Sequence, residues 1–329
     1  MRARDELVQR LATQRSEKLG GLSEGGFREL ELDVRKNPQA FVDTPSDRAF
    51  YLVTRALERH EDACANEDLL DDDEYYASRT KRLARLTADC DEALAIDPDC
   101  LDAALIRLQA SNLDPDRLLS ALLDLSLSAQ SQRVFDELQA KAPEGSLNAW
   151  TDLTVRPHLR LQAAVSRTAL DTARYRLAAE TGESCIALAP DDTLGCRHTC
   201  ALAYARLEDE ESFDALDVRF SRQGSSWMHL ARTILLYKLG RMGAAKRALE
   251  GYARLVEGGA YALLHPVMVE LYLPDRPEAK PLSFEEATLV IAEADPIIMD
   301  VPDFIGWAQG TRNVWFAAES FAERNGFDW

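Results

Sequence analysis

The string Cys196-Arg197-His198-Thr199-Cys200 is the part of the sequence most like a metal site. Cysteines four residues apart share one face of a helix, and Cys185 is close enough in sequence to join them. His198 lies two residues from each cysteine and therefore points away from that face. Because buried thiols are common packing residues, we expect these cysteines to lie in a core, and we predict no metal site.

The remaining residue types with catalytic potential form no recognisable motif. The histidines are scattered, and none has a second histidine or a carboxylate at a zinc-ligand spacing. They are His60, His158, His198, His229 and His265. The sequence contains neither a glycine-rich phosphate loop ending in Lys-Ser or Lys-Thr nor a Gly-x-Ser-x-Gly elbow. We therefore predict no catalytic residues and no cofactor, and we expect a binding protein rather than an enzyme.

Carboxylates are concentrated at 67–68, 71–74 and 208–211. The first two clusters are candidate sites for calcium or a basic peptide, but they lack the alternating ligands and central glycine of a calcium loop. Solvated linkers between helices are the better interpretation of all three clusters.

Composition limits the partners. The net charge of −18 makes contact with phosphate backbones costly, and no cluster of basic residues offsets it, so we expect no nucleic acid partner. The longest uncharged apolar runs are far shorter than the ~20 residues of a membrane span, so we expect no membrane partner. No export signal is recognisable, and six unevenly spaced cysteines do not suggest a disulfide framework. These features predict a cytoplasmic protein with reduced thiols.

Helical periodicity runs through almost the whole chain, with proline and glycine at the expected ends of helices. Thr44-Pro45-Ser46-Asp47 has the N-cap, first-turn proline and acidic residue of a helix start. Asp114-Pro115-Asp116 repeats this pattern, and Ser283-Phe284-Glu285-Glu286 reads as a capping box. No segment shows strand alternation, so we predict an all-α fold.

Internal repetition narrows this prediction. The segments 92–99 and 184–191 both join an apolar helix end containing alanine and leucine to a proline followed by aspartate. Pro190, Gly224 and Gly258 follow one another at intervals of 34 residues. The chain resembles tetratricopeptide repeat proteins in these features, most clearly over 193–260 and at 92–99. That resemblance implies an α-α superhelix of packed helix pairs.

The repeat is confined to part of the chain. We predict N-terminal capping helices over 1–43, a helical array with an irregular middle over 44–260, and a helical, proline-punctuated C-terminal cap over 261–329. Regular helix pairs are expected across 193–260, with looser pairs at 46–98 and 101–130. Repeat arrays need atypical ends to hide their last apolar face, and the C-terminal part either provides such an end or occupies the groove of the array.

Two functional hypotheses follow. The resemblance implies a scaffold or adaptor that binds a peptide or protein on its concave surface, where we place Arg197, Arg206, Arg232, Tyr204 and Trp227. The alternative is a small-molecule sensor or an enzyme, with a site between the array and the C-terminal part. That site would draw on His265, Asp275, Arg276 and Asp303. Association of copies through an uncapped repeat end is a further possibility. The sequence does not identify the partner.

Overall fold

The structure of the chain is a computed structural model, and it describes residues 3–65, 67, 70–128, 131, 134, 148–267, 269, 273–327 and 329. Those residues form sixteen α-helices and two short 3-10 helices, at Pro38–Phe41 and Ala149–Thr151, and they include no strand. Contacts divide the chain into two compact units. The first comprises the described residues of 1–114 together with 150–158, and the second comprises the described residues of 115–149 together with 159–329.

Many helices that are neighbours in the chain pack against each other in pairs. In chain order they are α1 (Ala3–Lys18), α2 (Glu24–Lys36), α3 (Pro45–Cys64), α4 (Asp72–Ile96), α5 (Leu101–Ala110), α6 (Pro115–Ser126), α7 (Arg156–Asp171) and α8 (Tyr175–Leu188). They continue as α9 (Cys196–Leu207), α10 (Glu210–Arg219), α11 (Ser226–Lys238), α12 (Met242–Leu255), α13 (Gly259–Leu264), α14 (Phe284–Met299), α15 (Phe304–Gln309) and α16 (Arg312–Asn325). The predicted all-α fold class is confirmed.

In the first unit, α1 packs against α2 and α3, and α3 packs against α4. Leu7, Val8 and Leu11 of α1 form a core with Val34 and Phe50. The expected pair over 46–98 corresponds to α3 and α4. The expected pair over 101–130 is not one pair within a unit, because α5 belongs to the first unit and packs on α3 and α4, whereas α6 belongs to the second.

Capping chemistry explains where several helices begin. Thr44 and Asp47 form a reciprocal capping box, with Pro45 in the first turn of α3, as the sequence predicts. The acidic clusters at 71–74 and 208–211 lie where a connection between helices ends and a helix begins, since Asp71 caps α4 and Asp209 caps α10. Their side chains accept backbone N–H groups that the first turn leaves unbonded. Glu67 departs further from the expectation, since it is buried in an ion pair with Arg82.

The second unit contains the expected regular pairs. Over 193–260, α9 packs against α10, and α11 packs against α12. Pro190, Gly224 and Gly258 each lie in a connection between helices. Pro296 differs from its expected place between elements and lies inside α14. Pro296 has no N–H to donate to the preceding turn, so α14 lacks one intrahelical hydrogen bond at this position.

Small residues let α7, α8 and α9 approach closely. The hydroxyl of Ser166 on α7 donates to the carbonyl oxygen of Ala178 on α8, and the thiol of Cys200 on α9 contacts the carbonyl oxygen of Ala179. A Cβ atom on Gly182 would lie 2.5 Å from the sulfur of Cys200 and 3.1 Å from the hydroxyl oxygen of Ser166. The position therefore has no room for a side chain.

We expect Gly182→Ala to lower the free energy of unfolding by about 1–3 kcal/mol, the usual cost of overpacking a core. Gly251→Ala is the matched control, because Gly251 lies in α12 and a Cβ atom there would have no neighbour within 4 Å. Alanine at that position should raise stability by about 0.5–1 kcal/mol through helix propensity. Urea unfolding measures both changes, and equal effects of the two substitutions would contradict the close packing described for Gly182.

Candidate functional site

The candidate site lies in the second unit, where residues 273–283 lead into α14 and pass beside α7, α9 and α11. We call these residues segment 273–283. Its central side chain is Arg276, whose guanidinium makes a two-pronged ion pair with Glu293 of α14 at 2.7 and 3.0 Å. Both side chains are at least nine-tenths buried. A planar guanidinium matches a carboxylate in this geometry, so the pair fixes the segment against α14.

The rest of the Arg276 guanidinium contacts the start of α9. One terminal nitrogen donates to the carbonyl oxygens of Leu194 and Gly195, and the other lies 3.5 Å from the hydroxyl oxygen of Thr199. Gly195 has a positive φ of 66° and precedes the helix. A Cβ atom there would overlap the Arg276 guanidinium, so glycine serves both the backbone conformation and the close approach.

Trp227 of α11 completes this contact. Its indole N–H donates to Glu293 over 2.7 Å, and the Arg276 guanidinium lies over its ring at 5.2 Å. His198 of α9 stacks on the same indole with ring centres 4.3 Å apart. One nitrogen of His198, Nδ1, lies 3.3 Å from the hydroxyl oxygen of Ser225. Four elements therefore meet around one buried arginine.

Two arginines of α7 hold the part of the segment before Arg276. The Arg160 guanidinium pairs with Asp275 over 3.1 Å, and Arg167 donates to the carbonyl oxygen of Pro274 over 3.0 Å. Both arginines are buried, and they lie seven residues apart on one face of the helix. Segment 273–283 is thus bound through its backbone and through its charged side chains.

The end of α14 and the residues that follow it meet the same helices. Arg206 of α9 makes a charged hydrogen bond with Asp300. The hydroxyl of Tyr237 on α11 donates to the carbonyl oxygen of Pro302, and its ring packs on Phe304 and Trp307. Since α14 packs against both α9 and α11, the first helices of the two regular pairs bind the C-terminal part of the chain.

The residues placed on the binding surface from the sequence all have partners within the second unit. Trp227 is buried against Glu293, and Arg206 pairs with Asp300. Arg232 and Tyr204 contact neighbouring helices, since Arg232 lies about 3 Å from Asp214 and Asp217 and Tyr204 donates to Glu183. Arg197 lies 3.6 Å from Asp192 in the connection before its own helix.

The four residues of the alternative pocket do not come together in one place. Arg276 and Asp275 belong to the site described above. His265 stacks on Tyr261 and lies near Trp329, and Asp303 precedes α15 with a positive φ. Sequence reasoning missed Arg160, Arg167, Glu293 and Glu286. The seven-residue spacing of Arg160 and Arg167 on α7 is the signal that could have pointed to these two arginines.

Burial shifts the pKa of several groups near the site. Desolvation raises the pKa of Asp192 to about 6, although backbone N–H groups of α9 and Arg197 oppose the shift. Burial lowers the pKa of His198 well below its usual value, with Arg276 and Arg197 adding to the shift. His198 is therefore neutral at pH 7.

The cysteines near the site are packing residues. Cys185, Cys196 and Cys200 are buried between α8 and α9, and a side-chain hydrogen bond between Cys185 and Cys196 together with burial raises the pKa of Cys185. Burial likewise raises the pKa of Cys200, so its thiol stays protonated and unreactive. In the described part of the chain, no group of three or more histidine, cysteine or acidic side chains is arranged to hold a metal ion.

A cavity of about 380 Å³ opens beside Arg276. Its lining comes from the start of α9, from α11, from segment 273–283 and from the first turn of α14. The charged or aromatic residues that line it are Asp192, His198, Trp227, Arg276, Glu278 and Glu286.

Comparison of the chain with protein-family models, with curated proteins and with solved structures finds no match. Within the described residues, no helix combines the length and the apolar character needed to cross a bilayer.

The raised pKa of Asp192 predicts a pH effect on stability. The unfolded carboxyl ionises near 3.8 and the folded one near 6, so the folded state holds more protons between these values. Stability contributed by this group is therefore present at low pH and declines as the pH rises towards about 6.

Asp192→Asn keeps an oxygen to cap α9 but removes the titration. We expect the difference in unfolding free energy, wild type minus variant, to fall by on the order of 2–3 kcal/mol between pH 4 and pH 7. Urea unfolding at both pH values measures it. A difference that stays constant, or that increases with pH, would contradict the shift assigned to Asp192.

Proposed function

We propose that this protein is a binding scaffold whose helix pairs hold an extended peptide segment, and that segment 273–283 acts as its internal ligand. The observation that carries the proposal is the way in which α7, α9 and α11 bind this segment. Arg160 pairs with the side chain of Asp275, Arg167 donates to the carbonyl oxygen of Pro274, and the guanidinium of Arg276 lies over Trp227. A surface that binds a backbone carbonyl group and side chains of both charges can bind peptides.

The electrostatics support the same proposal. Arg160 and Arg167 are cations whose side chains are buried in the second unit of a chain with a net charge of −18. Buried charges are costly unless they are paired, and the Pro274-Asp275 dipeptide contributes a carbonyl oxygen to Arg167 and a carboxylate to Arg160. An external peptide with the same groups can make the same contacts.

The resemblance to tetratricopeptide repeat proteins points in the same direction, since such arrays generally bind peptides or proteins. Fold resemblance is an associational argument, and the contacts of segment 273–283 provide the physical one. Under this proposal an external partner competes with the segment. The partner's apparent affinity is its intrinsic affinity multiplied by the fraction of molecules in which the segment has left its site.

The test uses a labelled synthetic peptide with the sequence of residues 273–283 and the full chain carrying Arg276→Ala. Removing the Arg276 guanidinium breaks the ion pair with Glu293 and should release the segment from its site. We expect the peptide to bind this variant at least tenfold more tightly than wild type in fluorescence anisotropy, because the vacated Glu293 can take the peptide's arginine.

Two controls make this result specific. Lys280→Ala alters an exposed residue of the same segment and should leave peptide binding as weak as in wild type. A peptide in which alanine replaces the arginine should not bind the Arg276→Ala chain. If circular dichroism shows that the Arg276→Ala chain is folded and it binds neither peptide, the surface formed by α7, α9 and α11 is not a peptide site and the proposal is wrong.

A further inference from the structure

The cavity beside Arg276 is large enough to hold a small organic molecule, because ligand pockets begin at roughly 300 Å³ and this one measures about 380 Å³. It is present while segment 273–283 occupies its site, since Arg276, Pro277 and Glu278 form part of its wall. What it can bind depends on which lining groups still have hydrogen-bonding capacity.

Arg276 offers nothing to a ligand, although it lines the cavity. A guanidinium has five N–H donors. Those of Arg276 are directed at Glu293, at the carbonyl oxygens of Leu194 and Gly195, and at Thr199. Its charge is balanced by Glu293. An anionic ligand would therefore find a positive charge that is already neutralised and no donor to bind.

Glu286 has capacity left on one oxygen. The carboxylate is buried, with 7% of the residue exposed, and it lines the cavity. Its Oε2 atom accepts hydrogen bonds from the backbone N–H and hydroxyl of Ser226 and from the backbone N–H of Leu282. No described group bonds its Oε1 atom, which leaves a buried negative charge with an acceptor available at the cavity.

His198 adds a second polar group at the cavity. The residue is 8% exposed, its Nδ1 atom lies beside the Ser225 hydroxyl, and no described residue bonds its Nε2 atom. Either tautomer of the neutral ring fits the contact with Ser225, so Nε2 presents a lone pair or an N–H group to the cavity. The stacked Trp227 indole holds the ring in place.

We propose that this cavity binds a small organic cation that carries N–H donors, such as a primary ammonium or a guanidinium group. Oε1 of Glu286 accepts its hydrogen bonds beside the His198 ring, and Glu278 at the exposed edge adds negative charge. The cation takes the place of water at the Glu286 carboxylate, where a hydrogen bond to a charged donor is stronger than one to a neutral donor. This proposal does not rest on the proposed peptide binding, because the cavity is present while segment 273–283 occupies its own site.

Isothermal titration calorimetry of the full chain with agmatine and with putrescine tests the proposal at about 0.15 M salt, where exposed charges are largely screened. Agmatine carries a guanidinium and an ammonium, and putrescine carries ammonium groups alone, so their relative affinities identify the preferred head group. We expect saturable 1:1 binding of at least one of them. Tetramethylammonium, which has charge but no N–H donor, should bind at least tenfold more weakly.

Variants locate the site. In Glu286→Gln the amide oxygen can accept the bonds from Ser226 and Leu282, while the amide NH₂ replaces an acceptor with a donor at the cavity. We expect about a tenfold loss of affinity or more. Glu285→Gln is the matched control, since Glu285 is exposed in the same helical turn and does not line the cavity. It should bind as wild type does.

Glu278→Lys covers the case in which Glu286→Gln fails to fold, because Glu278 is exposed and its replacement places a competing ammonium at the cavity edge. Its affinity should also fall. The proposal is overturned if wild type shows no binding at millimolar ligand, if tetramethylammonium binds equally well, or if Glu278→Lys and a folded Glu286→Gln bind as tightly as wild type.

Discussion

The buried ion pair between Arg276 and Glu293 is the interaction on which the arrangement of the second unit depends. Taking both charges out of water is expensive, and the cost is recovered only if every remaining donor and acceptor finds a partner. The backbone carbonyls before α9, Thr199 and the Trp227 indole supply those partners. Removing one member of such a pair typically costs about 3–5 kcal/mol, so the elements that meet here are strongly constrained.

This constraint changes how the surface formed by α9 and α11, the first helices of the two pairs over 193–260, is interpreted. In an open array, Arg206 and Trp227 would face solvent and await a partner. Here they contact Asp300 and Glu293 of the C-terminal part of the chain. The surface is thus in contact with the chain's own C-terminal part, and under the proposed function a partner peptide would make similar contacts.

The same constraint creates the neighbouring cavity. Because Arg276 is committed to Glu293 and to backbone oxygens, it shapes the cavity wall without presenting a donor. Glu286 is held by Ser226 and Leu282 on one oxygen only. The polarity of the cavity is therefore set by groups that accept hydrogen bonds, and this selects cations over anions.

Local chemistry made much of the helical framework predictable. The capping box at Thr44 and Asp47, and the breakers Pro190 and Gly224, act through their own backbone geometry and need no distant partner. Pro296 shows the limit of this reasoning, because a residue that breaks helices locally is tolerated near the end of α14. Capping and periodicity depend on neighbours within a few residues. For this reason they predict helices better than they predict tertiary contacts.

The sequence by itself determined the all-helical class, the starts of several helices and the regular pairs over 193–260. Only the tertiary structure decided that Arg276 pairs with Glu293, and that Arg160 reaches Asp275 across more than a hundred residues of chain. In a sequence rich in charges, many opposite pairs are equally plausible. Burial selects among them, because a charge removed from water must have a partner, and burial is a property of the folded chain.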